Sequence, residues 1–320
     1  MAEAPLHWQP EFHRLEPHLP PVPPVDLSPP SSSSSASSSS PPPLPPSAPP
    51  SNPPLPFTTL TFATSLDSAL ALGPGIPTAL SGPQSKAMTH YLRSRHDAIC
   101  VGVGTAIADD PGLNSRIIMV PSPPPPPPPP PHGGGPSVAS SGGSGDRGSG
   151  SNSVATIRQP RPVVIDPRLR WDFTADSRVL RLAREGRGLA PYVVTLEAEA
   201  PAGRRRLLED AGGKFIVLGP ARGSPPARLA WPDILAALRR EGLRSVMVEG
   251  GADVVNSLLG EHPGLVDSVV VTIAPTWLGR GGVVVCPPRT RGPGRPAARL
   301  RDVAWIPLGE DVVLCGKMAP

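Results

Sequence analysis

The run Arg244 to Leu259, RSVMVEGGADVVNSLL, constrains the fold more than any other stretch of the chain. Val246, Met247 and Val248 are apolar with no polar alternation, the pattern of a strand buried on both faces. Gly250 and Gly251 end that strand, and Ala252, Val255, Leu258 and Leu259 then recur at helical spacing. The unit is a strand, a tight glycine turn and a helix, with Glu249 at the strand's C-terminal end. Such a turn leaves free N–H groups at a helix N-terminus, where a phosphate can bind, and glycine lets it approach with no Cβ in the way. The same residues also suit a plain βα turn. A second strand-to-glycine turn earlier in the chain favours the ligand.

That second unit is Ala98 to Val103 followed by Gly104 and Thr105, continuing to Asp109, Asp110, Pro111 and Gly112, where any helix must stop. Ahead of it, Phe57 to Asp67 reads as a strand ending Ser65-Leu66-Asp67. Ser81 and Gln84 have capping-box spacing and open a helix with Ala87, Met88, Tyr91 and Leu92 on one face. Further on, strands at 162–166, 192–196 and 214–218 alternate with helices at 175–185 and 204–211. A helix from Trp231 to Arg240 precedes the strand ending at Glu249. This alternation predicts an α/β fold with a mostly parallel central sheet and helices on both faces. Strands at 268–274 and 311–317, with no helix between them, predict an antiparallel C-terminal edge.

Low-complexity sequence interrupts the pattern twice. Of 320 residues, 51 are proline, too many for one packed domain. Residues 1–54, rich in Pro and Ser, are expected to be a disordered tail, because they cannot bury enough apolar area to offset their ordering entropy. Residues 55–320 are expected to form a single domain, with 121–160 looping out as a surface insertion. PxxP matches could dock an SH3 or WW domain, but a solvated tail with no partner is the plainer reading.

Net charge is +4, from scattered arginines with no aromatic-studded nucleic-acid motif, so neither nucleic acid nor membrane is an expected partner. Cys100, Cys286 and Cys315 share no metal or redox spacing, and no metal site is expected. Cys100 and Cys315 lie in apolar runs, as buried free thiols in a reducing compartment would. No apolar run approaches a membrane span, and no secretory signal is evident, so a cytoplasmic protein is expected. His90 and His96 read as helix-surface residues. P-loop, G-x-S-x-G, HExxH and zinc-deaminase patterns are absent, and Gly102 and Gly104 only begin a dinucleotide fingerprint that Ile107 breaks. Three strand ends carrying Asp67, Gly104-Thr105 and Glu249-Gly250-Gly251 suit a phosphorylated or dinucleotide ligand. A cofactor with its own chemistry is the remaining route to catalysis.

Ser65 to Asp67, Thr78 to Asn114 (ending HDAICVGVGTAIADDPGLN), Pro160 to Trp171 and SVMVEGGADVVNSLL, in this order, are similar to the riboflavin-pathway pyrimidine reductases of the fungal and archaeal kind. The resemblance implies a dihydrofolate-reductase-like fold, usually a homodimer. It also implies NADPH-dependent reduction of 2,5-diamino-6-(5-phosphoribosylamino)pyrimidin-4(3H)-one to its ribitylamino form. Carried onto this chain, it places NADPH against Thr105, Asp109 and the turn Glu249-Gly250-Gly251-Ala252. Asp67 and Glu249 would lie nearest the substrate as catalytic candidates. Each has a simpler alternative: Asp109 as a turn cap, Glu249 as the partner of an arginine, Thr105 as a first-turn cap. Arg161, Arg168 and Arg222 are candidates to read the cofactor's 2′-phosphate. Many relatives have glycine after S-L-D where this chain has Ser68, so the backbone there is expected to differ. Two other readings stay open: a reductase of this fold on another pterin or pyrimidine, and a retired enzyme serving as a proline-rich interaction protein.

Overall fold

The computed structural model describes residues 6–21, 54–118, 158–220, 228–287 and 298–319. In chain order the strands begin with β1 (Leu6–His7), β2 (Phe57–Thr64), β3 (Ala69–Ala71), β4 (Ala98–Gly102) and β5 (Ile117–Ile118). They continue as β6 (Arg161–Ile165), β7 (Tyr192–Thr195), β8 (Lys214–Val217), β9 (Ser245–Gly250) and β10 (Ser268–Ile273). The last are β11 (Val283–Val284), β12 (Leu300–Leu308) and β13 (Asp311–Met318). The helices are α1 (Pro83–Ser94), α2 (Val103–Asp109), α3 (Arg178–Arg184), α4 (Ala202–Asp210), α5 (Trp231–Arg240) and α6 (Ala252–Glu261).

Nine strands form one sheet in the order β12-β13-β10-β2-β9-β4-β6-β7-β8. From β10 to β8 every pairing is parallel, and β13 and β12 close the other side as an antiparallel edge. The inner strands β4, β6, β7, β9 and β10 are short, rich in β-branched and apolar residues, and buried at most positions because both faces are covered. Leu60, Cys100, Val163 and Val248 face α5 and α6, meeting Ile234, Leu238, Val255 and Leu258. Their neighbours point the other way. Met247 and Val270 meet Met88 and Leu92 of α1, while Ile99, Val101 and Val164 meet Leu180 of α3 and Leu208 of α4.

Four expectations change. Residues 6–21 are not a solvated tail: β1 pairs with β5, and a 3-10 helix at Pro10–His18 follows. Phe12, Leu15 and Leu19 are buried against α1 and β13, with Phe12 stacked on Tyr91 at 5.3 Å. Glu16 accepts hydrogen bonds from Tyr91 and Arg95. Burial alone would raise its carboxyl, but these donors outweigh burial and hold it below the usual range. Averaging composition over 54 residues hid three apolar anchors, Phe12, Leu15 and Leu19, that earn their ordering by burial. The second change is at α1, whose N-cap is Gly82 and not Ser81: the Gly82 amide donates to the Asp311 carboxylate at 2.8 Å, so the cap comes from β13. Third, His90 and His96 are buried; His96 bridges Leu92 O and Thr59 Oγ1 at 2.7 and 2.8 Å. Fourth, β12 was not anticipated, because Pro307 and the left-handed Asp302 (φ +53°) disguise an edge strand.

Cys100 and Cys315 are free and buried, as expected, and no helix among the described residues is long and apolar enough to cross a membrane. Of the insertion expected at 121–160, residues 121–157 lie outside the described residues. Its flanks are clasped: Ser115 and the Gln159 amide exchange hydrogen bonds of 2.9 and 3.0 Å.

Candidate functional site

The parallel strands β2, β9 and β4 are neighbours, so the three ends singled out in the sequence lie side by side. Between β4 and β9 the register runs Ile99 to Met247 and Cys100 to Val248, then Val101 to Gly250. Glu249 is therefore the extra residue of a bulge, a device that re-aims a side chain at the end of a ladder. Its carboxylate meets Arg93 of α1, with Nε to Oε1 and Nη2 to Oε2 both at 2.6 Å. Arg93 also donates to Asn114 O at 3.1 Å. The pairing of Glu249 with an arginine, weighed from the sequence as its simpler role, is present. A two-pronged, mostly buried pair of this kind acts as a strut between α1 and the glycine turn.

Beyond the bulge, Gly250 and Gly251 have φ of +114° and +53°, which side-chain-bearing residues rarely adopt. The helix α6 starts at Ala252 with no side-chain cap. The amides of Ala252, Asp253 and Val254 cannot bond within the helix, and none donates to a backbone group elsewhere among the described residues. A Cβ on Gly251 would lie 3.3 Å from Thr105 Oγ1, and one on Gly102 would lie 3.2 Å from Val254 Cγ2. The two turns thus interlock, bringing Thr105 to Gly250, Gly251 and Ala252. A concave set of amides with one hydroxyl beside it can hold anionic oxygens.

Asp109 is the last residue of α2 and its surface is largely exposed, although partial burial of the carboxyl pushes it up. Capping falls to its neighbour: Asp110, left-handed at φ +38°, accepts the Arg178 amide at 3.1 Å and so starts α3. Asp67 is committed as well. Ser65 Oγ donates to it, as do the amides of Leu278 (3.1 Å) and Gly279 (2.7 Å), and these bonds hold its carboxyl below the usual range, the serine contributing most. Asp67 thereby anchors the loop after β10. Ser68, directly after Asp67, stands in the left-handed region at φ +63°.

Basic residues gather on two sides. A cavity of about 430 Å³ abuts the first turn of α6, where Asp253 and Val254 meet Arg168, Arg170, Arg228 and Trp231. Asp166 shapes its wall by accepting the amides of Arg170 (3.0 Å) and Trp171 (2.8 Å). Arg168 was anticipated; Arg170 and Arg228 were not. Arg161 points away, at the opposite edge of the sheet, donating to Ala190 O at 2.7 Å and stacking on Tyr192. Arg222 lies outside the described residues. The second group surrounds Asn114: His90, Arg93, Arg116 and Arg178. The Arg116 amide donates to His90 Nδ1 at 3.0 Å. Burial, then Arg93, push His90 down to about 3, keeping it neutral. Burial, then the charges of Arg178 and Arg187, lower Arg116. The sequence offered one signal for this group, Arg93 directly after the buried Leu92.

A family profile described as the RibD C-terminal domain matches residues 56–314. The 2,5-diamino-6-ribosylamino-4(3H)-pyrimidinone 5′-phosphate reductase of Eremothecium gossypii is 37% identical over 266 residues, 83% of this chain and 89% of that protein. The protein of the same name from Saccharomyces cerevisiae is 34% identical over 267 residues, 83% of this chain and 88% of its own. Among solved structures, the yeast riboflavin biosynthesis reductase Rib7 matches with a TM-score of 0.58 at 30% identity, covering 83% of this chain and 90% of that one. Acinetobacter baumannii RibD, at 21% identity and a TM-score of 0.57 over 83% of this chain and 59% of that one, shows the shared fold. The dihydrofolate-reductase-like architecture is thereby established.

Proposed function

Because the chain belongs to the RibD C-terminal domain family, we propose that it is the NADPH-dependent reductase of riboflavin biosynthesis. Its substrate is then 2,5-diamino-6-(5-phosphoribosylamino)pyrimidin-4(3H)-one, whose ribosyl side chain becomes ribityl. The observation that carries this reading is the interlock of the two strand-end turns, with Thr105 Oγ1 set against Gly251 beside uncapped amides. Those residues fit a nicotinamide dinucleotide: amides and hydroxyl for the pyrophosphate, and no Cβ to obstruct it.

When bound, the reduced nicotinamide supplies the hydride that C1′ of the opened sugar or imine accepts. The chain's own residues bind and orient. Ala252 to Val254 donate from their amides, Thr105 from its hydroxyl, and Asp109 accepts from a ribose or carboxamide. Arg168, Arg170 and Arg228 favour the extra phosphate that distinguishes NADPH from NADH. Glu249, shared with Arg93, and Asp67, held by Ser65 and two amides, keep those parts in place and accept hydrogen bonds from the aminopyrimidine. We carry the homodimer forward from the resemblance, and sedimentation at the mass of two chains checks it.

The test is rescue of a riboflavin-requiring, reductase-null strain, together with NADPH oxidation by the purified chain on the pyrimidinone phosphate. Rescue and oxidation are expected. Soluble protein giving neither would remove the assignment.

A further inference from the structure

Trp277 is the most exposed large apolar side chain among the described residues, at 73%, yet its loop is firmly held. Leu66 N donates to Thr276 O at 2.8 Å and Thr276 N to Ala274 O at 2.8 Å, while Asp67 takes the amides of Leu278 and Gly279. An indole left in water costs hydrophobic free energy that burial would recover, and a backbone fixed on both sides of it cannot fold it away. Leu66, 46% exposed, is tied to the same loop by the bond to Thr276.

The loop follows β10, which lies beside β2 and so one strand from the Glu249–Ala252 turn. Contacts connect the two. Asn256 of α6 donates to Val284 O at 3.1 Å, Val284 pairs with Ala69, and Val285 N donates to Ser68 O at 2.9 Å. The two-stranded β3–β11 ribbon therefore runs from the helix that begins at the glycine turn to the Ser65–Asp67 corner that holds Trp277. An aromatic face at the rim of a site for a flat, polar heterocycle has an evident use, since ring-on-ring stacking binds a base whatever its hydrogen-bond pattern.

We propose that Trp277, backed by Leu66, is the stacking platform for the pyrimidinone ring of the substrate. The proposal rests on the function given above. It makes Asp67 a positioning residue, whose carboxylate fixes the loop from which the indole projects.

The test compares the full-length wild type with Trp277→Ala and Trp277→Phe, measuring KM separately for the pyrimidinone phosphate and for NADPH, with sedimentation of each protein. Loss of base stacking is expected to raise the pyrimidinone KM of Trp277→Ala roughly tenfold or more. Its KM for NADPH should stay within about twofold, and Trp277→Phe should recover most of the loss. Three results overturn the proposal: an unchanged pyrimidinone KM in Trp277→Ala, equal rises for both reactants, or a change of assembly state in Trp277→Ala that accounts for the loss. A wild type that leaves the pyrimidinone unreduced removes the assigned function first and this proposal with it. An active wild type with an indifferent Trp277 removes the proposal alone.

Discussion

Where the parallel strands begin, Asp97 accepts the amides of Arg244 and Ser245 at 2.7 and 3.2 Å and pairs with Arg158, and Ser245 Oγ takes the Asp97 amide at 2.9 Å. Asp267 takes the amide of Thr58 at 2.8 Å, and Arg161 closes on two carbonyls. Where the same strands end, α6 starts without a side-chain cap, two glycines hold positive φ, arginines line a cavity and a tryptophan stands in water. The contrast comes from one set of strands, so burial and strand pairing do not explain it. Polar groups at the first edge are matched to each other and contribute stability. At the second they await a partner, a cost that a fold retains where a ligand will supply the missing contacts.

The comparison breaks most visibly at Gly251. Gly251→Val forces a β-branched residue to φ +53° with its Cβ against Thr105 Oγ1. NADPH-dependent turnover should fall by about three orders of magnitude, roughly 4 kcal/mol, while circular dichroism stays native. Turnover within a few-fold of wild type would mean that the turn does not meet the cofactor.

The opposite edge should respond through stability. Burial pushes His96 down to about 4, against 6.5 for an ordinary histidine. The folded state therefore resists protonation, and the stability it contributes is complete above about pH 6.5 and lost as pH falls toward 4. His90, pushed down to about 3, acts in the same direction. Urea titrations should show a loss of about 2 kcal/mol per buried histidine between about pH 7 and pH 5. His96→Gln should flatten that slope and leave the KM for NADPH alone. A slope unaffected by the substitution would contradict a neutral, buried His96.

Smaller effects sharpen the contrast. Arg168→Ala should reduce the preference for NADPH over NADH about tenfold, close to 1.4 kcal/mol; an unaltered preference would move the 2′-phosphate away from this cavity. Ser68→Gly should relieve the left-handed strain at φ +63° and raise stability by about 1 kcal/mol, read as a higher urea midpoint with an unchanged m-value.

The glycine turns were legible in the sequence because the signal is local: an apolar run, glycine, then helical spacing, as at Val246 to Leu259. The helix at Trp231–Arg240 was read to the residue for the same reason. What was missed depends on distant parts of the chain. Glu249 finds Arg93 across 156 positions, and the Gly82 cap comes from Asp311, 229 positions away. Arg170 and Arg228 meet in one cavity from separate loops. Residues 6–21 were misjudged because their few apolar anchors sit in a proline- and serine-rich surrounding, and only the partners on α1 and β13 show that they are buried.

Amide hydrogen exchange with and without NADPH tests the central claim most directly. Protection is predicted to rise at 250–254 and around Thr105, with no change at 97–98 or 244–246 on the opposite edge. Saturating NADPH that leaves 250–254 exchanging as before, or that protects the opposite edge instead, would contradict the account.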